Sequence, residues 1–172
     1  VNTVHSKPEE IFDDLINSCK SFCDEEEIIA IQEAHRFAFE AHGDTIAANG
    51  QLNICHSLKI AQSSIEDIGL GTTSIISALL HDVVNKTDVT LEEVKKKFGD
   101  TVAHLIEEYT KLSSLNTKRI EVNSVRFRNL FMTIVDDIRV ILLKLAHRLH
   151  DMRTIDDLPI EKQQLFISEV EH

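Results

Sequence analysis

One segment limits the fold of this chain more than any other. From Thr72 to Leu80 the sequence carries no charge and is nearly all apolar, with Ile75, Ile76, Ala78, Leu79 and Leu80. A helix of that pattern has no face for solvent, so it must be enclosed by other elements. Sheet is a poor candidate for the enclosure. Only 5 Gly and 2 Pro in 172 residues are too few punctuators for a turn-rich β fold. The expectation is a single all-α domain over residues 1–172, with the Thr72 segment as its buried central helix.

Helical stripes flank that segment. Ile11, Phe12, Leu15, Ile16 and Cys19 mark one from Glu9 to Phe22. Asp24 caps a second, whose first turn holds Glu25, Glu26 and Glu27 and whose apolar face runs through Ile28, Ile31, Ala34, Phe37 and Ala38 to about His42. Residues 43–53 read as a loop. A third helix starts near Ile54 and ends by Gly69. Thr90 and Glu93 form a capping box for a short helix that stops at Gly99, and Asp100 opens the next. Further helices are expected from Val122 to Val135, from Asp136 with a stripe of Ile138, Ile141, Leu142, Leu145, Leu149 and Met152, and from Pro159 onward. The total is eight or nine.

Composition removes several functional classes. A formal net charge of −11 disfavours DNA, or an anionic membrane, as a partner. No apolar run reaches the roughly 20 residues that span a bilayer, and no signal peptide is visible. Cys19, Cys23 and Cys55 are odd in number and include no CxxC pair, which suggests reduced thiols in a cytoplasmic protein. Cys19 and Cys23 share a helix face and read as small core or boundary residues. Glu171-His172 reads as the stub of an affinity tag on a piece of a longer protein.

The chemistry concentrates in four segments. His81-Asp82 closes the central helix, an imidazole and a carboxylate side by side. His56 lies on the first turn of the third helix. His147, with Arg148, His150 and Asp151, lies on the helix that follows Asp136, beside the apolar stripe and on a face shared with Leu143. Histidines at such margins are usually hydrogen-bonded boundary residues. Three of them on separate helices with an aspartate also match what a divalent metal asks of its ligands.

Two long stretches, Ser77–Leu112 and Asp137–Gln164, resemble the N-terminal hydrolase domain of the RelA/SpoT alarmone enzymes in order, spacing and helix pattern. The likeness runs from about Ile28 to Gln164. It implies an HD-type helical fold and a manganese-dependent 3′-pyrophosphohydrolase of ppGpp and pppGpp. By position, the family's metal ligands fall on His56, His81, Asp82 and His147, the last standing where the family has Asp. The family's Glu-Asp pair, which handles the attacking water and the leaving group, falls on Asn85 and Lys86. The Arg that packs on the guanine falls on Ala47. A nucleotide-contacting Asn falls on Asp151, and the neighbouring Thr is kept as Thr154.

Each departure has a chemical consequence. Activating water takes a metal and a placed carboxylate, and Asn85 has no useful basicity. Lys86 puts a cation where the family has an anion. With His147 the ligand set becomes three imidazoles and one carboxylate, which shifts preference from manganese toward zinc or nickel, if a metal is held at all. Ala47 removes a flat cation from the guanine, and Asp151 adds negative charge near an anionic ligand. The core stripes and caps around these positions are intact. The expectation is a degenerate hydrolase domain that regulates or supports the synthetase domain of a longer alarmone synthetase, with ppGpp binding weakened. The alternatives are a working pyrophosphohydrolase with another base, and an HD phosphohydrolase acting on a different nucleotide.

Overall fold

The computed structural model describes residues 7–47, 50–114, 136–158, 160, 161, 163 and 164. Among them the chain forms α1 (Pro8–Cys19), α2 (Glu25–His42), α3 (Asn53–Glu66), α4 (Thr72–Leu80), the single turn α5 (Val83–Lys86), α6 (Leu91–Phe98), α7 (Asp100–Ser114) and α8 (Ile138–Arg153). A 3-10 turn, Ile155–Asp157, follows α8. No strand occurs among the described residues; the loop after α2 carries one isolated antiparallel bridge, Ile46 to Leu52. The all-α expectation is met. The helix expected over 122–135 lies outside the described residues, as does Pro159; residues 160, 161, 163 and 164 are helical.

Local signals in the sequence account for the helix ends. Asp24 accepts from the Glu27 amide while the Glu27 carboxylate accepts from the Asp24 amide, a reciprocal cap that starts α2. Thr90 and Glu93 do the same for α6. Gly99 ends α6 at φ +90°, a conformation that L side chains rarely adopt.

α4 is the centre, as its composition requires. All residues from Ser74 to Leu80 are buried, and α4 packs against α2, α3, α7 and α8. Its buried Ser77 hydroxyl donates to the Thr73 carbonyl, so burial leaves no unmet donor there. Leu79 is fully buried. Leu79→Ala should cost about 2–5 kcal/mol, read as a lower urea midpoint at unchanged slope.

α8 differs from its expected orientation, and the difference matters for the site. Its buried residues are Val140, Leu143, Ala146 and His150, whereas Ile138, Leu145 and Met152 are exposed. The face turned inward follows the 3-4-3 spacing Val140, Leu143, His147, His150. It is less apolar than the leucine face, so hydropathy periodicity points to the wrong side. The N-cap also shifts by one residue: Asp137, not Asp136, accepts from the Arg139 amide. At the other end Arg153 makes a two-pronged ion pair with Asp67, the C-cap of α3, at 2.7 and 2.9 Å. This clamp sets α8 along α3. The three cysteines form no disulfide, and burial with Cys23 nearby raises the Cys19 thiol to about 12, which leaves it inert.

Candidate metal centre

Three helices deliver three imidazoles to one point. His56 comes from the first turns of α3, His81 from the C-cap of α4, and His147 from the inward face of α8. One ring nitrogen of each lies within 4.8 Å of the others. His56 Nε2 and His147 Nε2 are 3.0 Å apart. The His81 ring stands 5.9 Å from that of His56 and 5.2 Å from that of His147. The inward turn of α8 brings His147 into contact rather than leaving it beside the core.

The ring nitrogens are oriented. His81 Nδ1 lies 2.7 Å from the Ala78 carbonyl, which can only accept. Nδ1 therefore carries the proton and Nε2 presents a bare lone pair. That Nε2 is buried and has no hydrogen-bond partner. It lies 3.4 Å from Asp82 Oδ1, a second acceptor. A buried acceptor facing a half-buried carboxylate asks for a cation between or beside them. His147 Nδ1 meets the hydroxyl of Tyr109, a buried residue of α7.

The electrostatics favour neutral ligands. Burial, reinforced by His81 and His150, lowers His56 to about 3. Burial lowers His147 well below its ordinary value, and burial also lowers His81. Nearby His150, buried on α8, is lowered to about 4 by burial and by Lys59. Neutral imidazoles with lone pairs in reach of one another are the state a metal ion binds. The donor set fits a divalent transition ion, with His56, His81 and His147 as its nitrogens.

The carboxylates are placed less simply. Asp82 Oδ2 is held at 2.5 Å by the ammonium of Lys86, one turn on. Burial pushes the Asp82 carboxyl up, but His81 and Lys86 outweigh it and hold it low, so it stays ionised. Asp82 thus sits at the edge of the histidine group and shares its charge with Lys86. Asn85 turns its amide away, donating 3.2 Å to Thr110 and 3.4 Å to the His81 carbonyl. Asp151 Oδ1 is 3.5 Å from His147 Nε2, and burial raises this carboxyl to about 6.

Ala47, where the resemblance puts an arginine, and Thr154 both have local hydrogen-bond partners. Ala47 lies in the bridged loop, its amide donating to Gln51 and its carbonyl accepting from Gly50. The Thr154 hydroxyl donates back to the His150 carbonyl and so closes the end of α8. Sequence reasoning missed Tyr109. Its place on the buried face of α7 with Val102, Leu105 and Ile106 was readable, but its partner on α8 was not.

Residues 34–172 match the HD domain family. The chain belongs to the HD-domain family. Its relatives place it beside the alarmone enzymes within that family. It is 37% identical over 147 residues to a probable guanosine-3′,5′-bis(diphosphate) 3′-pyrophosphohydrolase of Synechocystis, which covers 85% of this chain and 18% of the relative. It is 33% identical over 155 residues to the bifunctional (p)ppGpp synthase/hydrolase SpoT of Escherichia coli, covering 90% of this chain and 22% of that protein. A chloroplastic putative GTP diphosphokinase of Arabidopsis thaliana is 34% identical over 170 residues, covering 94% and 19%. The chain thus spans about a fifth of the length of these relatives. Among solved structures, one described as a metazoan ortholog of SpoT that hydrolyzes ppGpp superposes with a TM-score of 0.62 at 24% identity, over 80% of this chain and 79% of that one. The HD-domain fold is shared. No helix among the described residues is long and apolar enough to cross a membrane.

Proposed function

We propose that this HD domain is a (p)ppGpp-hydrolase-like module that has kept its scaffold and a metal seat but not hydrolysis. The observation that carries the reading is the turn after Asp82. Where the RelA/SpoT resemblance puts two carboxylates, Asn85 donates to Thr110 and Lys86 binds Asp82 itself. When bound, a divalent ion would supply Lewis-acid polarisation of a phosphate oxygen or of water. The chain would then have to receive the water's proton on a placed base. Asn85 offers an amide, and the ammonium of Lys86 already spends its charge on Asp82.

The module would act through contacts with a synthetase domain of a longer cytoplasmic protein, which supports or restrains that domain. The fivefold greater length of the relatives, and names that include a synthase/hydrolase and a GTP diphosphokinase, support this part of the reading.

The experiment is steady-state pyrophosphate release from ppGpp with manganese, zinc or nickel, run beside an active relative. The expected result is no release above the protein-free rate with any of the three. Release at the relative's rate would overturn the reading. One observation favours a second reading, a working hydrolase with a different base: Asp151 sits against His147 with its carboxyl raised to about 6, in the range useful to a general base. In that case the wild-type chain turns over and Asp151→Asn stops it.

A further inference from the structure

The imidazole of His147 is longer than the carboxylate that the family resemblance puts at this position, and it has a second nitrogen. If that second nitrogen were left free in the interior, the ring would be unsatisfied and poorly aimed. It is not left free. Tyr109, 4% exposed, brings its hydroxyl to His147 Nδ1 from α7. The phenol and imidazole rings lie 6.0 Å apart and nearly parallel, at 12°. The same phenol ring meets His81 edge-on at 5.3 Å and 79°, and the Lys144 ammonium stands 5.2 Å over it. This tyrosine is the single one in the chain. Its α7 neighbours on the same face, Val102, Leu105 and Ile106, pack into the core. The hydroxyl ends on the His147 ring, with Ser113 as its other hydrogen-bond partner.

Each imidazole has a partner on Nδ1, and the Tyr109 oxygen accepts the Nδ1 proton of His147 in the tautomer that leaves Nε2 free to ligate. His81 Nδ1 is fixed by the Ala78 carbonyl, and His147 Nδ1 by the Tyr109 hydroxyl. With Nδ1 engaged on each, the Nε2 atoms are the ones left to face the cluster, where His56 Nε2 joins them at 3.0 Å from His147. Metal-bound histidines generally need such an anchor on the other nitrogen, and losing it lowers affinity by about 10- to 100-fold.

We propose that Tyr109 is the positioning residue that makes His147 a metal ligand, turning this seat into a three-nitrogen site for zinc-class ions. The proposal rests on the metal seat of the preceding reading and not on whether nucleotide is cleaved. Three imidazoles suit zinc, cobalt or nickel better than manganese. Tyr109 would act on a bound ion only through His147. Its effect should therefore exist only while position 147 is an imidazole.

The test is titration of the whole chain with cobalt(II), followed by its visible ligand-field spectrum, and with zinc by competition. Four proteins are compared: wild type, Tyr109→Phe, His147→Ala and the double variant, each checked for helical content by circular dichroism. Tyr109→Phe keeps the ring in the core and removes only the hydroxyl. The expected results are one ion per wild-type chain, zinc bound tighter than manganese, an about 10- to 100-fold weaker affinity with an altered cobalt spectrum in Tyr109→Phe, and no further loss from Tyr109→Phe once His147 is Ala. Wild-type affinity and spectrum in Tyr109→Phe, or an equal loss in the His147→Ala background, would overturn the positioning role. Failure of the wild-type chain to bind cobalt or zinc would overturn the metal seat itself, and pyrophosphate release has no bearing on either outcome.

Discussion

Exchanging four residues together, Asn85→Glu, Lys86→Asp, His147→Asp and Ala47→Arg, should create manganese-dependent pyrophosphate release from ppGpp at least about 100-fold above the wild-type background. The magnitude is what a placed general acid or base contributes, roughly 10²–10⁴-fold. Each change undoes one physical obstacle. A glutamate at 85 supplies the missing basicity. Removing the Lys86 ammonium frees Asp82 Oδ2, held at 2.5 Å. An aspartate at 147 restores a hard oxygen ligand for manganese. An arginine at 47 returns a flat cation toward a guanine. The effects should be strongly non-additive, because a base without an ion, or an ion without a base, does little. If the four-residue variant folds with the wild-type helical content and still gives background release, the site has been rebuilt for another purpose.

Acid should unfold the metal-free chain unusually early. Burial is the leading cause that lowers His35, His42, His56, His81, His147 and His150 below their ordinary range. A base whose folded value lies below its unfolded value of 6.5 binds fewer protons when folded. Its stabilising contribution is complete above pH 6.5 and is lost as pH falls toward the folded value. His56, at about 3, and His150, at about 4, stay neutral in the folded chain throughout that descent. Together they should remove about 4 kcal/mol between pH 7 and pH 5. Asp151 acts in the opposite sense. Its folded value of about 6 exceeds its ordinary 3.8, so its stabilising contribution is full below 3.8 and is lost as pH rises through 6. Over the same interval it returns only about 1 kcal/mol. His35, His42, His81 and His147, lowered in the same direction, add to the loss. Urea unfolding in the presence of a chelator should show a fall of at least about 3 kcal/mol from pH 7 to pH 5, a large share of a domain's usual stability. Equal stability at the two pH values would contradict the neutral, desolvated state of the histidines.

Much of this was legible in the sequence because the signals were local. The reciprocal caps at Asp24 and Thr90 are sequence patterns with one structural outcome, and both form. The central helix announced itself by having no polar face. His56, His81 and His147 were each placed on the right helix, and the structure brings them together.

The largest miss, the inward face of α8, has a physical cause. On α8 the inward face carries His147 and His150 where a core stripe would ordinarily carry leucines, so periodicity favoured Ile138, Leu145 and Met152, which are exposed. A site built on a core face weakens the hydrophobic signal that would locate it. Pairings between helices far apart in sequence were also unreadable. The Tyr109–His147 contact joins α7 to α8, and Arg153–Asp67 joins α8 to α3. The Asp82–Lys86 pair likewise depends on side-chain rotamers in a single turn, which spacing allows but does not require.

The claim that hydrolysis has gone from this scaffold is tested most directly by a single-turnover reaction. The wild-type chain, loaded with manganese or zinc, is held in excess over labelled ppGpp, and the nucleotide is separated afterwards. Under these conditions even a slow catalyst converts its bound substrate. Recovery of intact ppGpp at the protein-free level is the predicted result. Conversion to GDP and pyrophosphate at the rate of an active relative would contradict it.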